Sequence, residues 1–196
     1  MCHWNLSDSV LAERTVMKAM TNKIGEKRLR LNPNSISLAG EFAVLSQLAL
    51  RGYDANMTLG HTKGVDILVS DPKTKNMYQL EVKTGIRNFK EKPIQSKLFG
   101  KAVADWIMSA KNESISHPTL FYCFVLIHEH TSAFRFFIVP SLLVADYVKA
   151  SHSYWLKQDA KHRDSEMRLF RIGLPGEKYV IPTPSTEYES NWAFKQ

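Results

Sequence analysis

Two runs of this chain read as strands, VDILVS at 65–70 and MYQLEVK at 77–83. Each carries an acid where a strand interior is normally apolar: Asp66 in the first and Glu81 in the second. Lys83 follows two residues after Glu81. Carboxylate oxygens are hard ligands and favour Mg2+ over zinc. Mg2+ is usually held by one or two carboxylates, several waters and a substrate phosphate. Such a metal lowers the pKa of a bound water and stabilises charge on a phosphoryl oxygen. A lysine nearby can orient or deprotonate the attacking water, or neutralise developing charge as a fixed cation. The chemistry these residue types point to is metal-assisted hydrolysis of a phosphodiester.

Something must bring the three together. The polar loop DPKTKN at 71–76 suits a hairpin turn. Ser70 then faces Met77, Val69 faces Tyr78, Ile67 faces Leu80, and Asp66 faces Glu81. Strand side chains alternate between faces. Val65, Ile67 and Val69 therefore share an apolar face with Tyr78, Leu80 and Val82. Asp66, Leu68 and Ser70 share the other with Gln79, Glu81 and Lys83. Opposed residues have Cβ atoms roughly 4.5–5.5 Å apart, and like charges there repel. Either one carboxyl is protonated, or a cation sits between the acids. Lys83 supplies one positive charge, and a divalent metal would supply the rest.

A helix predicted over 36–51 adds a third acid. Leu38, Phe42, Leu45, Leu48 and Ala49 form one apolar arc, and Glu41 lies inside it. A lone carboxylate aimed at a core is costly unless it is paired or metal-bound. Glu41 is thus expected to reach the acidic face of the hairpin.

The remaining elements complete a sheet. A helix over 8–24, with Asp8 as its cap, is broken by EKRLRLNPNS at 26–35. Lys27, Arg28 and Arg30 in that break could touch phosphates or form a solvated charge run. A strand is expected over 53–59, and a helix over 94–112 with Leu98, Ala102, Trp106 and Ile107 inward. TLFYCFVLIHEH at 119–130 and AFRFFIVP at 133–140 read as paired strands buried on both faces. A helix over 141–158, capped by Ser141, and a strand over 167–174 follow. The order predicts an α/β fold, a mixed central sheet flanked by helices. The expected organisation is a basic helical arm at 1–35, a core at 36–158, and a C-terminal extension at 159–196 packed on it.

The 196 residues carry enough apolar material for one sizeable core, which excludes the disordered class. A net charge of +7 and a pI near 9.4 suggest an acidic partner, nucleic acid first. Cys2 and Cys123 form no spaced metal motif and no disulfide framework, which fits a reducing cytoplasm. The start, MCHWNLSDS, lacks the layout of a signal peptide, and no apolar run approaches the roughly 20 residues of a membrane span.

Gly40-Glu41 on a helix, GVDILV at 64–69 and QLEVKTG at 79–85 together resemble the PD-(D/E)XK nuclease superfamily. In layout the chain is similar to Holliday-junction resolvases and type II restriction endonucleases over about 36–110. The resemblance implies a restriction-endonuclease-like α-β-β-β-α-β core. It matches Asp66 to the first aspartate, Glu81 to the second acid, Lys83 to the lysine and Glu41 to the helix glutamate. Metal would sit on Asp66, Glu81 and Glu41, as Mg2+ with Mn2+ able to substitute. Gln79 sits where several members carry a polar residue beside the acid. Apart from the resemblance, Thr84, His61 and Lys63 lie near the proposed site and are candidates for substrate contact, with a plain loop as the alternative reading of each. Val65 stands where the family name has proline, which is not a ligand. Phe99 in Gln95-x-x-x-Phe99 lacks the hydroxyl of the exonuclease branch's Gln-x-x-x-Tyr.

The expected function is a metal-dependent DNA endonuclease of restriction, repair or junction-resolving type. Cutting two strands usually needs two active sites, so a homodimer is a natural assembly. The alternative is a catalytically silent nucleic-acid-binding module on the same fold. A third reading is a metal-dependent enzyme acting on a small phosphorylated molecule. His128 and His130 share a strand face and could form a zinc pair, but they end a strand and read as surface histidines.

Overall fold

The computed structural model describes residues 31–58, 64–87, 93–129 and 131–196. The predicted helix at 8–24, the basic cluster, His61, Lys63 and His130 lie outside these residues.

The first helix, α1, spans Pro33–Ala49. It starts earlier than the predicted 36, because Pro33 opens the helix instead of breaking it. Proline's fixed φ suits the first turn, where an N–H would lack a partner anyway. Asn32 caps it, its side-chain oxygen accepting from Asn34 N at 2.9 Å.

Five strands then build a mixed sheet. They are β1 (Asp54–Met57), β2 (Ile67–Ser70), β3 (Met77–Arg87), β6 (Leu120–His128) and β7 (Phe134–Pro140), in the spatial order β1-β2-β3-β6-β7. All neighbours are antiparallel except β3 and β6, which run parallel. The hairpin register matches the alternation in the sequence: Ser70 pairs with Met77, Val69 with Tyr78, and Ile67 with Leu80. β6 is buried from Leu120 to Ile127, as its unbroken apolar run predicts.

The helix predicted at 94–112 is absent. Its residues form β4 (Ile94–Ser96) and β5 (Gly100–Ser109). These join β8 (Met167–Gly173) in a second, antiparallel sheet of order β4-β5-β8. Ala102 and Trp106 fit either a helical or a strand period, but Ala104 and Met108 are also buried, and only period two satisfies all four. Between β3 and β6 the chain therefore crosses through strands, where the expected core order has a helix.

Two cores result, one on each face of the larger sheet. Val44 and Leu48 of α1 pack with Ile67, Val69, Leu80, Val82, Phe121 and Cys123 on one face. Trp192 and Phe194 from the C-terminal segment complete that core. On the other face Tyr122, Phe124 and Leu126 pack against Trp106 and Met108 of β5 and Phe170 of β8. The second helix, α2 (Ser141–Gln158), adds Val144, Tyr147 and Val148 there. Each large apolar side chain so buried contributes about 1.5–3 kcal/mol. Ser141 does not cap α2; its hydroxyl accepts from His117 N at 2.9 Å and donates to His117 O at 3.0 Å. No helix among the described residues is long and apolar enough to cross a membrane.

Candidate active site

β2 and β3 part company at Asp66. The last residue of the β2 ladder is Ile67, paired with Leu80, while β3 continues from Glu81 to Arg87 along β6. Asp66 N donates to Leu80 O at 2.8 Å, although the β2 partner of Leu80 in the ladder is the next residue, Ile67. Its side chain turns in and accepts from Val82 N at 2.6 Å. Asp66 thereby satisfies a β3 amide on the edge that β2 leaves open. The expected face-to-face pairing of Asp66 with Glu81 is relaxed into this fork, which offsets part of the repulsion that strict opposition would bring.

Glu81 is the buried member of the set, only 4% exposed. Lys83 Nζ lies 2.6 Å from its Oε1. Glu81 Oε2 is buried and has no hydrogen-bond partner. Such an atom is rare in native structures and marks either strain or a missing ligand. A Cβ built on Gly64 would stand 3.5 Å from this oxygen, so a bare backbone borders it there. Gly64 has φ 77°, the left-handed region that glycine adopts freely. Beyond Glu81 lies Tyr122, its parallel neighbour in β6. The Tyr122 hydroxyl accepts from Asn112 Nδ2 at 2.8 Å, and Asn112 Oδ1 accepts from Ser109 N at 2.9 Å. Burial, then the Glu81 charge, pushes the Tyr122 phenol well above its ordinary range.

Glu41 arrives from the other side of the sheet. The buried stripe of α1 is Gly40, Val44 and Leu48, not the arc centred on Phe42. Leu38 and Phe42 are 45% and 56% exposed. The helix has turned because Gly40 packs directly on Thr84 of β3. Glu41 is left half-buried beside that stripe, where Ser37 Oγ donates to its Oε1 at 3.2 Å. Burial raises its pKa, and the Asp66 charge raises it further; Ser37 and Lys83 pull it down. The Asp66 pKa is also raised, by burial first and by Glu81; the Val82 amide and Lys83 oppose this. Asp66 thus acts on Glu41 and is itself acted on by Glu81 and Lys83.

The other expected contacts are placed as follows. Gln79 lies two residues before Glu81 on the same face, half-buried. Thr84 points the other way, and its buried hydroxyl faces Gly40 without a hydrogen-bond partner. Among the described residues no three His, Cys, Asp or Glu side chains converge as a ready ligand cluster. Tyr122 and Asn112 carry no sequence signal of their own: Tyr122 sits in a run that reads as core, and its place beside Glu81 follows only from the β3–β6 register.

The donor chemistry fits a hard divalent cation. Glu81 Oε2 is unpartnered, and only one oxygen of Asp66 is taken by Val82. Two carboxylates suffice for Mg2+, which fills its other positions with water and phosphate.

No protein-family model matches the chain, and no curated protein matches it in sequence. In structure it is similar to a bacterial homing endonuclease, I-Ssp6803I, at 10% sequence identity and a TM-score of 0.43, over 83% of this chain and 89% of that one.

Proposed function

We propose that the chain is a metal-dependent deoxyribonuclease that hydrolyses phosphodiester bonds, with Asp66 and Glu81 as metal ligands and Lys83 as the residue that handles the attacking water. One observation carries this reading. A buried carboxylate, Glu81, holds a lysine through one oxygen and makes no close hydrogen bond through the other, with the Tyr122 phenol beside the group and a second acid at an open sheet edge. A purely structural ion pair would have no reason to leave that oxygen bare, since an unpaired buried acceptor is destabilising. Bound there, Mg2+ or Mn2+ would activate a water and stabilise phosphoryl charge. Lys83, partly exposed, can hold that water by a hydrogen bond and offset negative charge on the phosphate. Glu41 supplies a further carboxylate from α1 that Asp66 influences. The net charge of +7 favours a polyanionic substrate.

The test is plasmid and branched-DNA cleavage with Mg2+ or Mn2+, in wild type, Glu81→Gln and Lys83→Ala. Cleavage lost in both variants supports the reading. A folded wild type that cuts no duplex, single-stranded or branched DNA overturns it. Among the described residues no ligand cluster converges, and this favours a second reading, a DNA-binding module without turnover. In that case binding survives Asp66→Ala and Lys83→Ala, and added metal changes nothing.

A further inference from the structure

A second polar site lies away from the β2–β3 fork, between α2, β8 and the turn before β5. It is a cavity of about 270 Å3 whose lining includes Leu98, Phe99, His152, Trp155, Arg168 and Arg171. The two arginines differ. The Arg168 charge is matched by Glu113 and Asp164, and Asp164 also accepts from His152 at 2.8 Å. Arg171 is 8% exposed, and its Nε is buried with no hydrogen-bond partner. One amino group approaches the Tyr147 hydroxyl at 3.5 Å, and the guanidinium lies 4.4 Å over the Phe99 ring. Asp105 faces Arg171 across the β5–β8 ladder, yet no ion pair joins them among the described residues.

Arginine stays charged at any accessible pH, so it cannot escape burial by losing its proton. A buried guanidinium with a bare Nε–H lacks an acceptor, and the cavity it lines is the space where one fits. We propose that this cavity binds a small organic oxyanion, a carboxylate or phosphate monoester, with Arg171 as its counter-charge. The guanidinium fork matches both groups in a bidentate way. The apolar walls, Leu98, Phe99 and Trp155, suit an organic body better than a bare inorganic ion. The volume lies just under the roughly 300–1,000 Å3 usual for ligand pockets, which selects a small metabolite over a polymer. The proposal is independent of the nuclease reading.

The Arg171 Nε–H resonance of the full chain reports the event directly. Inorganic phosphate, adenosine monophosphate and benzoate serve as probes. A saturable shift with either organic probe is expected, and whether the phosphate ester or the carboxylate binds more tightly identifies the group. Leu98→Trp, which fills the cavity and keeps both arginines, should weaken binding at least tenfold, as should Arg171→Lys, whose affinity is read by calorimetric titration because it has no Nε–H to follow. No saturable shift with either organic probe overturns the proposal, as does equal binding in Leu98→Trp. Binding that appears only in Asp105→Asn also overturns it, because Asp105 is then the natural counter-ion.

Discussion

Gly40 of α1 stands so close to Thr84 of β3 that a Cβ added to it would come within 1.9 Å of Thr84 Oγ1. This contact sets how near the helix lies to the sheet, and hence where Glu41 hangs. Gly40→Ala gains helix propensity, about 1 kcal/mol at most. Overpacking of this kind costs typically 1–3 kcal/mol, and Thr84 Oγ1 belongs to a short side chain with little room to retreat. The variant should therefore be less stable in urea denaturation, and Thr84→Gly in the same chain should recover most of the packing loss. Nuclease activity should fall in Gly40→Ala by more than stability explains, because the neighbouring Glu41 moves with the helix.

Glu81 should trade stability for function. Glu81→Gln removes a buried charge that the Asp66 carboxylate repels, while Lys83 is exposed enough to find water. Thermal melting without metal should show the variant equal to wild type or more stable by about 1 kcal/mol, in line with strained active sites, while cleavage is abolished. Lys83→Met should do the reverse to stability. It leaves a buried carboxylate without its partner, at a cost of about 1–3 kcal/mol.

The acids predict opposite pH trends for the free and metal-loaded protein. Asp66 and Glu41 have pKa values raised above those of the unfolded chain. Their contribution to stability is then fully present below the ordinary carboxylate range near 4 and is lost as pH rises through the raised folded values. Metal ligands must be deprotonated, so metal affinity climbs over the same window. Melting curves from pH 4 to 7 should show this loss in the metal-free wild type and less of it in Asp66→Asn, whose side-chain oxygen can still accept from Val82. Calorimetric Mn2+ titration should show wild-type affinity rising with pH. A pH-independent stability difference between wild type and Asp66→Asn would contradict the assignment.

The sequence reveals the hairpin because alternation and a polar loop fix its register locally, and the observed pairing of Ile67 with Leu80 agrees. It reveals β6, β7 and α2 for the same local reason. It does not reveal β5, since Ala102 and Trp106 fit two periods and β5's partner, β8, lies far along the chain. It misplaces the buried face of α1 because Gly40 has no hydrophobicity to count, though its lack of a side chain decides the packing. At the fork, a side-chain bond from Val82 N to Asp66 replaces the ladder, which no pattern of residue types encodes.

Tyr122 provides the last prediction. Asn112 is 1% exposed and spends one amide proton on the Tyr122 hydroxyl, which leaves the phenolic proton free for another acceptor. Glu81 is the neighbour of Tyr122 across the parallel ladder. Tyr122→Phe removes the acceptor of Asn112, a loss of about 1–3 kcal/mol for a buried unsatisfied donor. It also removes the only hydroxyl that the β6 side offers Glu81. Asn112→Ala should cost a similar amount, and the double variant less than the two together, with a coupling of about 0.5–3 kcal/mol. If Tyr122 positions Glu81, Tyr122→Phe should also weaken Mn2+ binding several-fold, while Asn112→Ala, which keeps the hydroxyl, weakens it less. Equal metal affinity in wild type and Tyr122→Phe would leave Tyr122 with a packing role alone.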